Sequence, residues 1–187
     1  MSQIICGIDA SFTGTAIAIG GPDKAVLHRV ACKNLGDGAE ARVKRIETIV
    51  EQVMAIIEPA KPAFIFLEHY SFGSVNGGEY LGELGGLLRW HLIDVGLLYE
   101  VAPTTLKKFV TGKGNTKKEQ VIAHVFRQWG QMFETNDHAD AFGLYRLGLC
   151  ACGLAPMANQ AQREAVEKVV GKELLSFTPA AVADVPF

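Results

Sequence analysis

Apolar positions along this chain fall into short blocks punctuated by Gly, Pro and charge. Residues 3–8, QIICGI, form an apolar run that stops at Asp9. Residues 14–20, GTAIAIG, form a second run, closed by the turn sequence Gly20-Gly21-Pro22-Asp23. Residues 25–33 alternate loosely and predict a third strand that completes a meander. From 39 to 58 the period changes. Val43, Ile46, Ile49, Val50, Val53, Ile56 and Ile57 recur at helical spacing, with Arg42, Lys44, Arg45, Glu47 and Glu51 on the wet face. Pro59 and Pro62 should stop that helix. The run 63–67 predicts another strand, and it ends abruptly on Glu68.

The second half reads mostly as helix. Residues 77–95 carry a helical pattern in spite of several glycines. Gly82, Gly85 and Gly86 would let another backbone come close, from the same chain or from a second subunit. A short strand over 97–101 precedes Pro103, which suits the first turn of a helix over 103–110. A flexible loop, 111–115, leads to a helix over 117–129, with Thr116 as its cap and Glu119 as capping-box partner. A core helix is predicted over 137–151. An amphipathic helix over 158–170 presents Ala161, Ala165, Val166 and Val169 on one side, and 176–187 reads as a mobile end. The fold class that follows is α/β: a mixed five-stranded sheet, an antiparallel hairpin meander plus parallel strands, with helices on both faces. The chain divides into a main domain, 1–153, and an appended helix and tail, 154–187.

Composition narrows the reading. With 49% hydrophobic and 20% charged residues in 187, the chain is an ordinary globular mixture with enough length for a full core. No window suits a membrane span, and the N-terminus lacks secretory-signal features. Cys6, Cys32, Cys150 and Cys152 form no C-x-x-C pair, and a cytoplasmic location is expected. The net charge of −2 does not favour a nucleic-acid partner. Its distribution matters more: Lys107, Lys108, Lys113, Lys117 and Lys118 fall between 101 and 118 with no acid among them.

Candidate chemistry lies in the acids. Asp9 and Glu68 each end an apolar strand, and a crossover helix separates the two strands, which should therefore be parallel and near neighbours. Both acids would then sit at the sheet edge where open α/β sheets place ligands. Asp137 and Asp140 are i and i+3 in the first turn of the last core helix and share a face. Four converging carboxylates repel unless a cation neutralises them or some stay protonated. An all-oxygen set suits hard cations, Mg²⁺ or Mn²⁺, and two such ions would serve phosphodiester cleavage. Discounting those four acids turns −2 into +2, so a metal-loaded protein would be mildly cationic.

The same residues resemble the RuvC family of Holliday-junction resolvases, within the ribonuclease H-like fold. GIDASFTGTAIAI resembles the family's first strand, acid and hairpin. FIFLEHYSF resembles its acid-ending strand with an aromatic soon after. YEVAPTTLKKFVTGKGNTKKEQV resembles its Ala-Pro, lysine-bearing helix and Val-x-Gly-x-Gly stretch, and NDHADAFGL its final D-x-x-D-A helix. The matches run in family order over about 3–150. The resemblance implies catalytic, metal-binding roles for Asp9, Glu68, Asp137 and Asp140, with two Mg²⁺ or Mn²⁺ per site. It places basic helper positions at Lys107 and Lys118, the latter catalytic, while Lys108, Lys113 and Lys117 add non-specific DNA contacts. Tyr70 or Phe72 would wedge or stack at the crossover. The implied activity is paired symmetrical nicking of four-way DNA junctions by a homodimer; the glycine face makes helix 77–95 the candidate interface. Two departures stand out: Ala10-Ser11 replaces the usual Pro-Gly after the first acid, and the first loop is short, as in phage or divergent members. The rivals are a ribonuclease H-like nuclease acting on other branched DNA or on RNA–DNA hybrid, a non-catalytic junction-binding module, and a nucleotide-binding fragment of actin or sugar-kinase type. The last needs a second domain and phosphate loop, and the chain shows no internal repeat.

Overall fold

A computed structural model describes residues 3–69 and 78–174, and the structural statements below concern these. Five strands form one sheet: β1 (Ile5–Asp9), β2 (Thr15–Gly20), β3 (Ala25–Val30), β4 (Phe64–Glu68) and β5 (Leu97–Val101), in the order β3-β2-β1-β4-β5. β1, β2 and β3 pair antiparallel, and β1, β4 and β5 are parallel. Six helices complete the fold: α1 (Ala39–Ala60), α2 (Gly78–Leu92), α3 (Pro103–Thr111), α4 (Lys118–Trp129), α5 (Asn136–Ala151) and α6 (Gln160–Leu174).

Strand alternation explains why both sheet faces are covered. Ile5, Ala16, Ala18, Phe64 and Phe66 pack on one side with α3 to α6. Cys6, Ile8, Ile17, Ile19, Ile65 and Leu67 pack on the other with α1 and α2. A strand buried on both faces reads as a continuous apolar run, which is why β1 and β4 resemble core until their last residue. α5 lies flush on β1. A Cβ added at Gly7 would collide with the Ala141 carbonyl and the Tyr145 amide, and one at Gly148 with Ile5 and the Phe66 ring.

Several boundaries differ from the sequence reading, each for a local reason. Pro59 lies inside the last turn of α1, which ends instead at left-handed Lys61 (φ 47°). Val43 is solvent-exposed although it shares the apolar spacing of α1, whose buried face begins at Ile46. Thr116 does not cap α4. Its hydroxyl bonds to the Thr111 hydroxyl and the Lys113 carbonyl, closing the 111–116 loop, and Lys117 takes the cap position without a side-chain bond. α6 begins at Gln160 and breaks at left-handed Gly171 (φ 77°), one residue past the expected end, and its Ala165 and Val166 are buried in the same core as α3 and α5. Residues 176–187, Tyr70 and Phe72 lie outside the described residues. Among those described, no helix is long and apolar enough to cross a membrane.

Candidate active site

Parallel pairing of β1 with β4 aligns Ile8 with Leu67, so Asp9 and Glu68 follow at adjacent strand ends. β4 in turn aligns Glu68 with Val101, and α3 starts two residues later at Pro103. α5 crosses β1 at the glycine contact and delivers Asp140. One carboxylate oxygen from each of Asp9, Glu68 and Asp140 lies within 4.8 Å of the others. Asp137, one turn earlier on α5, stands outside that trio. The Lys118 ammonium links the two positions, 3.4 Å from Asp137 Oδ1 and 3.8 Å from Asp140 Oδ2. Thr135, which the sequence reading did not single out, fixes this helix end: its hydroxyl caps α5 by accepting from the His138 amide at 3.3 Å and also meets His138 Nδ1 at 2.9 Å.

These groups line one cavity of about 330 Å³ that contains all four acids together with Lys107 and Lys118. Lys108 points elsewhere and pairs with Glu164 of α6 at 2.5 Å. Lys113 and Lys117 are exposed and line no part of this cavity. Three further polar residues join the lining: Ser11, His69 and Arg89. Arg89 had a legible signal, since Leu81, Gly85 and Arg89 follow at i, i+4 and i+8 on one face of α2. Its guanidinium is held at 2.6 Å by Glu100. The glycines of α2 divide accordingly. Gly85 is buried against the cavity, whereas Gly86 faces open space.

Electrostatics follow from burial. Desolvation raises the Asp9 carboxyl well above its ordinary range, and Glu68 beside it pushes further in the same direction. Glu68 is also raised, first by burial and then by Asp140, against the lowering effects of the Asp9 hydrogen bond, Lys118 and Lys107. Burial, Asp9 and Asp137 bring Asp140 up to about 7 despite Lys118 and Lys107. Burial alone would lower Lys118, but Asp140, Asp9 and Asp137 outweigh it and hold the ammonium above its usual range. Three buried oxygens this close, with their charges this disfavoured, fit a hard divalent cation: oxygen-only ligands whose repulsion a cation would relieve. The cysteines do not compete for that role. Cys150 is buried and bonds the Pro156 carbonyl, and burial pushes the Cys150 and Cys152 thiols up to about 11 and about 12.

No protein-family model matches the chain. Among curated relatives, the crossover junction endodeoxyribonuclease RuvC of an Anaeromyxobacter species is 30% identical over 170 residues, covering 89% of this chain and 80% of that protein. The RuvC of Chlorobium phaeobacteroides is 25% identical over 171 residues, covering 89% of each. Among solved structures, Thermus thermophilus RuvC superimposes with a TM-score of 0.61 at 20% identity over 76% of this chain and 91% of that one. The same protein in complex with a Holliday junction substrate matches equally well, at 0.61 and 18% identity over 76% and 90%. With a relative 30% identical over four-fifths of its length, the chain belongs to the RuvC family of crossover junction endodeoxyribonucleases.

Proposed function

We propose that this chain resolves four-way DNA junctions at a metal site formed by Asp9, Glu68, Asp137 and Asp140. The observation that carries the reading is the meeting of three carboxylates from β1, β4 and α5 in one cavity with Lys107 and Lys118. Asp9, Glu68 and Asp140 are the nearest ligand set, and Asp137 extends it toward a second position, in keeping with two Mg²⁺ or Mn²⁺ ions. Bound there, divalent ions supply Lewis acidity to the scissile phosphate and lower the pKa of water.

The chain's own residues prepare that chemistry. The acids are held close by backbone pairing rather than by flexible loops, so little reorganisation is needed when cations enter. Without a cation, a proton between Asp9 and Glu68 and the Lys118 ammonium relieve the repulsion. Lys118 remains beside Asp137 and Asp140 to steady charge on the phosphate, while Lys107 holds the backbone nearby. Water adds to phosphorus and the P–O3′ bond breaks, leaving a 5′-phosphate and a 3′-hydroxyl.

Two nicks related by two-fold symmetry require two such sites at a fixed separation, and a homodimer supplies them. α2 offers the surface. Leu87 and Trp90 of α2 and Ile93 just beyond its end recur at i, i+3 and i+6 and are 38%, 70% and 60% exposed. Apolar side chains in such a row suit an isologous contact centred on Trp90. The substrate reading is tested with labelled four-way junctions, flaps, duplexes and RNA–DNA hybrids in Mg²⁺ and in Mn²⁺. Junctions should be cut at symmetrical positions and far faster than the rest; preferential cutting of hybrids or flaps would redirect the assignment.

A further inference from the structure

We propose that the cavity beside the acid site, between the β1–β2 turn and α1, receives one unpaired nucleotide of the strand being cut. The inference rests on the junction-nuclease reading above. This second cavity has a volume of about 400 Å³ and shares Ser11 and Leu81 with the acid cavity, so a strand crossing one reaches the other. Its lining joins two aromatic rings to two guanidinium groups. The Arg42 guanidinium carbon lies 4.6 Å from the Tyr80 ring centroid, and that of Arg45 lies 5.3 Å from the Phe12 ring centroid.

These arginines read from sequence as a wet helix face, and the structure corrects that. Lys44, paired with Glu40 at the surface, fits the description; the two arginines do not. Arg42 is clamped between Tyr80 and Glu83, which accepts from its Nε at 2.8 Å. Arg45 donates to the carbonyls of Phe12 at 2.7 Å and Cys32 at 3.3 Å, and its buried Nε has no hydrogen-bond partner among the described residues. Its ligands are thus neutral dipoles, and no carboxylate of the described residues lies within ion-pair distance of it. A charge held in that way, without an acid, leaves the wall of the cavity positive toward a phosphodiester. Aromatic and guanidinium planes suit the face of any base. Asp37, on the same lining, offers an acceptor for a base amino group. Cation, stacking surface and edge acceptor together describe a nucleotide better than a peptide or a lipid. The lining of this cavity begins at Ser11, two residues after Asp9, a position that makes it the natural source of any sequence preference around the nick.

The test is a coupling cycle between protein and DNA, read by single-turnover cleavage with junction binding measured alongside. Abasic residues replace, one at a time, the three nucleotides on either side of the nick. Wild type should lose about 10-fold or more in rate at one position. Tyr80→Ala and Arg42→Ala should each lose less than about 2-fold on top of their own defect at that same position, because the base has no partner left to lose. Both side chains are partly exposed, so folding should survive, and circular dichroism verifies it. Strictly additive losses at every position in both folded variants overturn the subsite while leaving the nuclease assignment intact. A wild-type protein that neither binds nor cuts any junction overturns the assignment first, and the subsite with it.

Discussion

Three buried carboxylates that repel one another set the behaviour of this protein at the level of single residues. Asp140 is the clearest case because its carboxyl titrates near 7 in the folded chain against an ordinary value of 3.8. The folded state therefore binds its proton more tightly than the unfolded chain does. Stability from this group is complete below about 4 and is lost as pH rises through about 7. Thermal denaturation of the metal-free protein should show a melting temperature that falls across that window. Asp140→Asn should flatten the fall and stabilise the metal-free protein at pH 8 by about 1–3 kcal/mol, a discounted figure for a shift of this size. Adding Mg²⁺ at pH 8 should raise the melting temperature of wild type and leave Asp140→Asn nearly unchanged. A pH-independent melting temperature would contradict the burial of a charged trio. Asp9 and Glu68 were legible in the sequence because an apolar run that stops on an acid is unusual, and the Asp137–Asp140 spacing fixed a shared face. Arg42 and Arg45 were not legible, because spacing alone cannot distinguish a hydrated guanidinium from one lying over Tyr80 or Phe12.

Between elements, the decisive contact is α5 against β1. The helix itself was readable from its apolar pattern, but its depth was not. Depth depends on Gly7 and Gly148, glycines on two segments far apart in the chain that matter only once packed together. At Gly7 the obstruction to a Cβ is backbone, which cannot rotate away, whereas at Gly148 it is side chain. Gly7→Ala should cost about 3 kcal/mol in urea unfolding, at the upper end of overpacking effects, and Gly148→Ala less. Because displacement of α5 moves Asp140 from Asp9, Gly7→Ala should also weaken Mn²⁺ binding measured by calorimetry. Equal stability of Gly7→Ala and wild type would mean that α5 sits further from the sheet than described. Removal of the α5 cap, Thr135→Ala, should cost about 1 kcal/mol, a residue that a reading starting the helix at 137 passes over.

At the scale of the whole molecule, the mixed sheet of an antiparallel meander plus parallel strands, and the coverage of both its faces, were predictable from the alternation of strand and helix. How closely the appended helix packs was not legible: α6 buries Ala165 and Val166 in the common core. The proposed dimer rests on one surface. Trp90→Glu places a charge at the centre of the apolar row at the end of α2 and should convert the proposed dimer into a monomer in light scattering at micromolar concentration. That monomer should nick junctions singly rather than in pairs; a wild-type protein that is monomeric and still makes paired nicks would remove the dimer from the account. The claim on which the rest depends is that the clustered acids hold the cations that cut DNA. Its most direct measurement is single-turnover cleavage of a labelled four-way junction by Asp9→Asn, beside junction binding in Ca²⁺. Cleavage should fall by more than about 100-fold while binding stays within a few-fold of wild type; cleavage at the wild-type rate would show that the chemistry lies elsewhere.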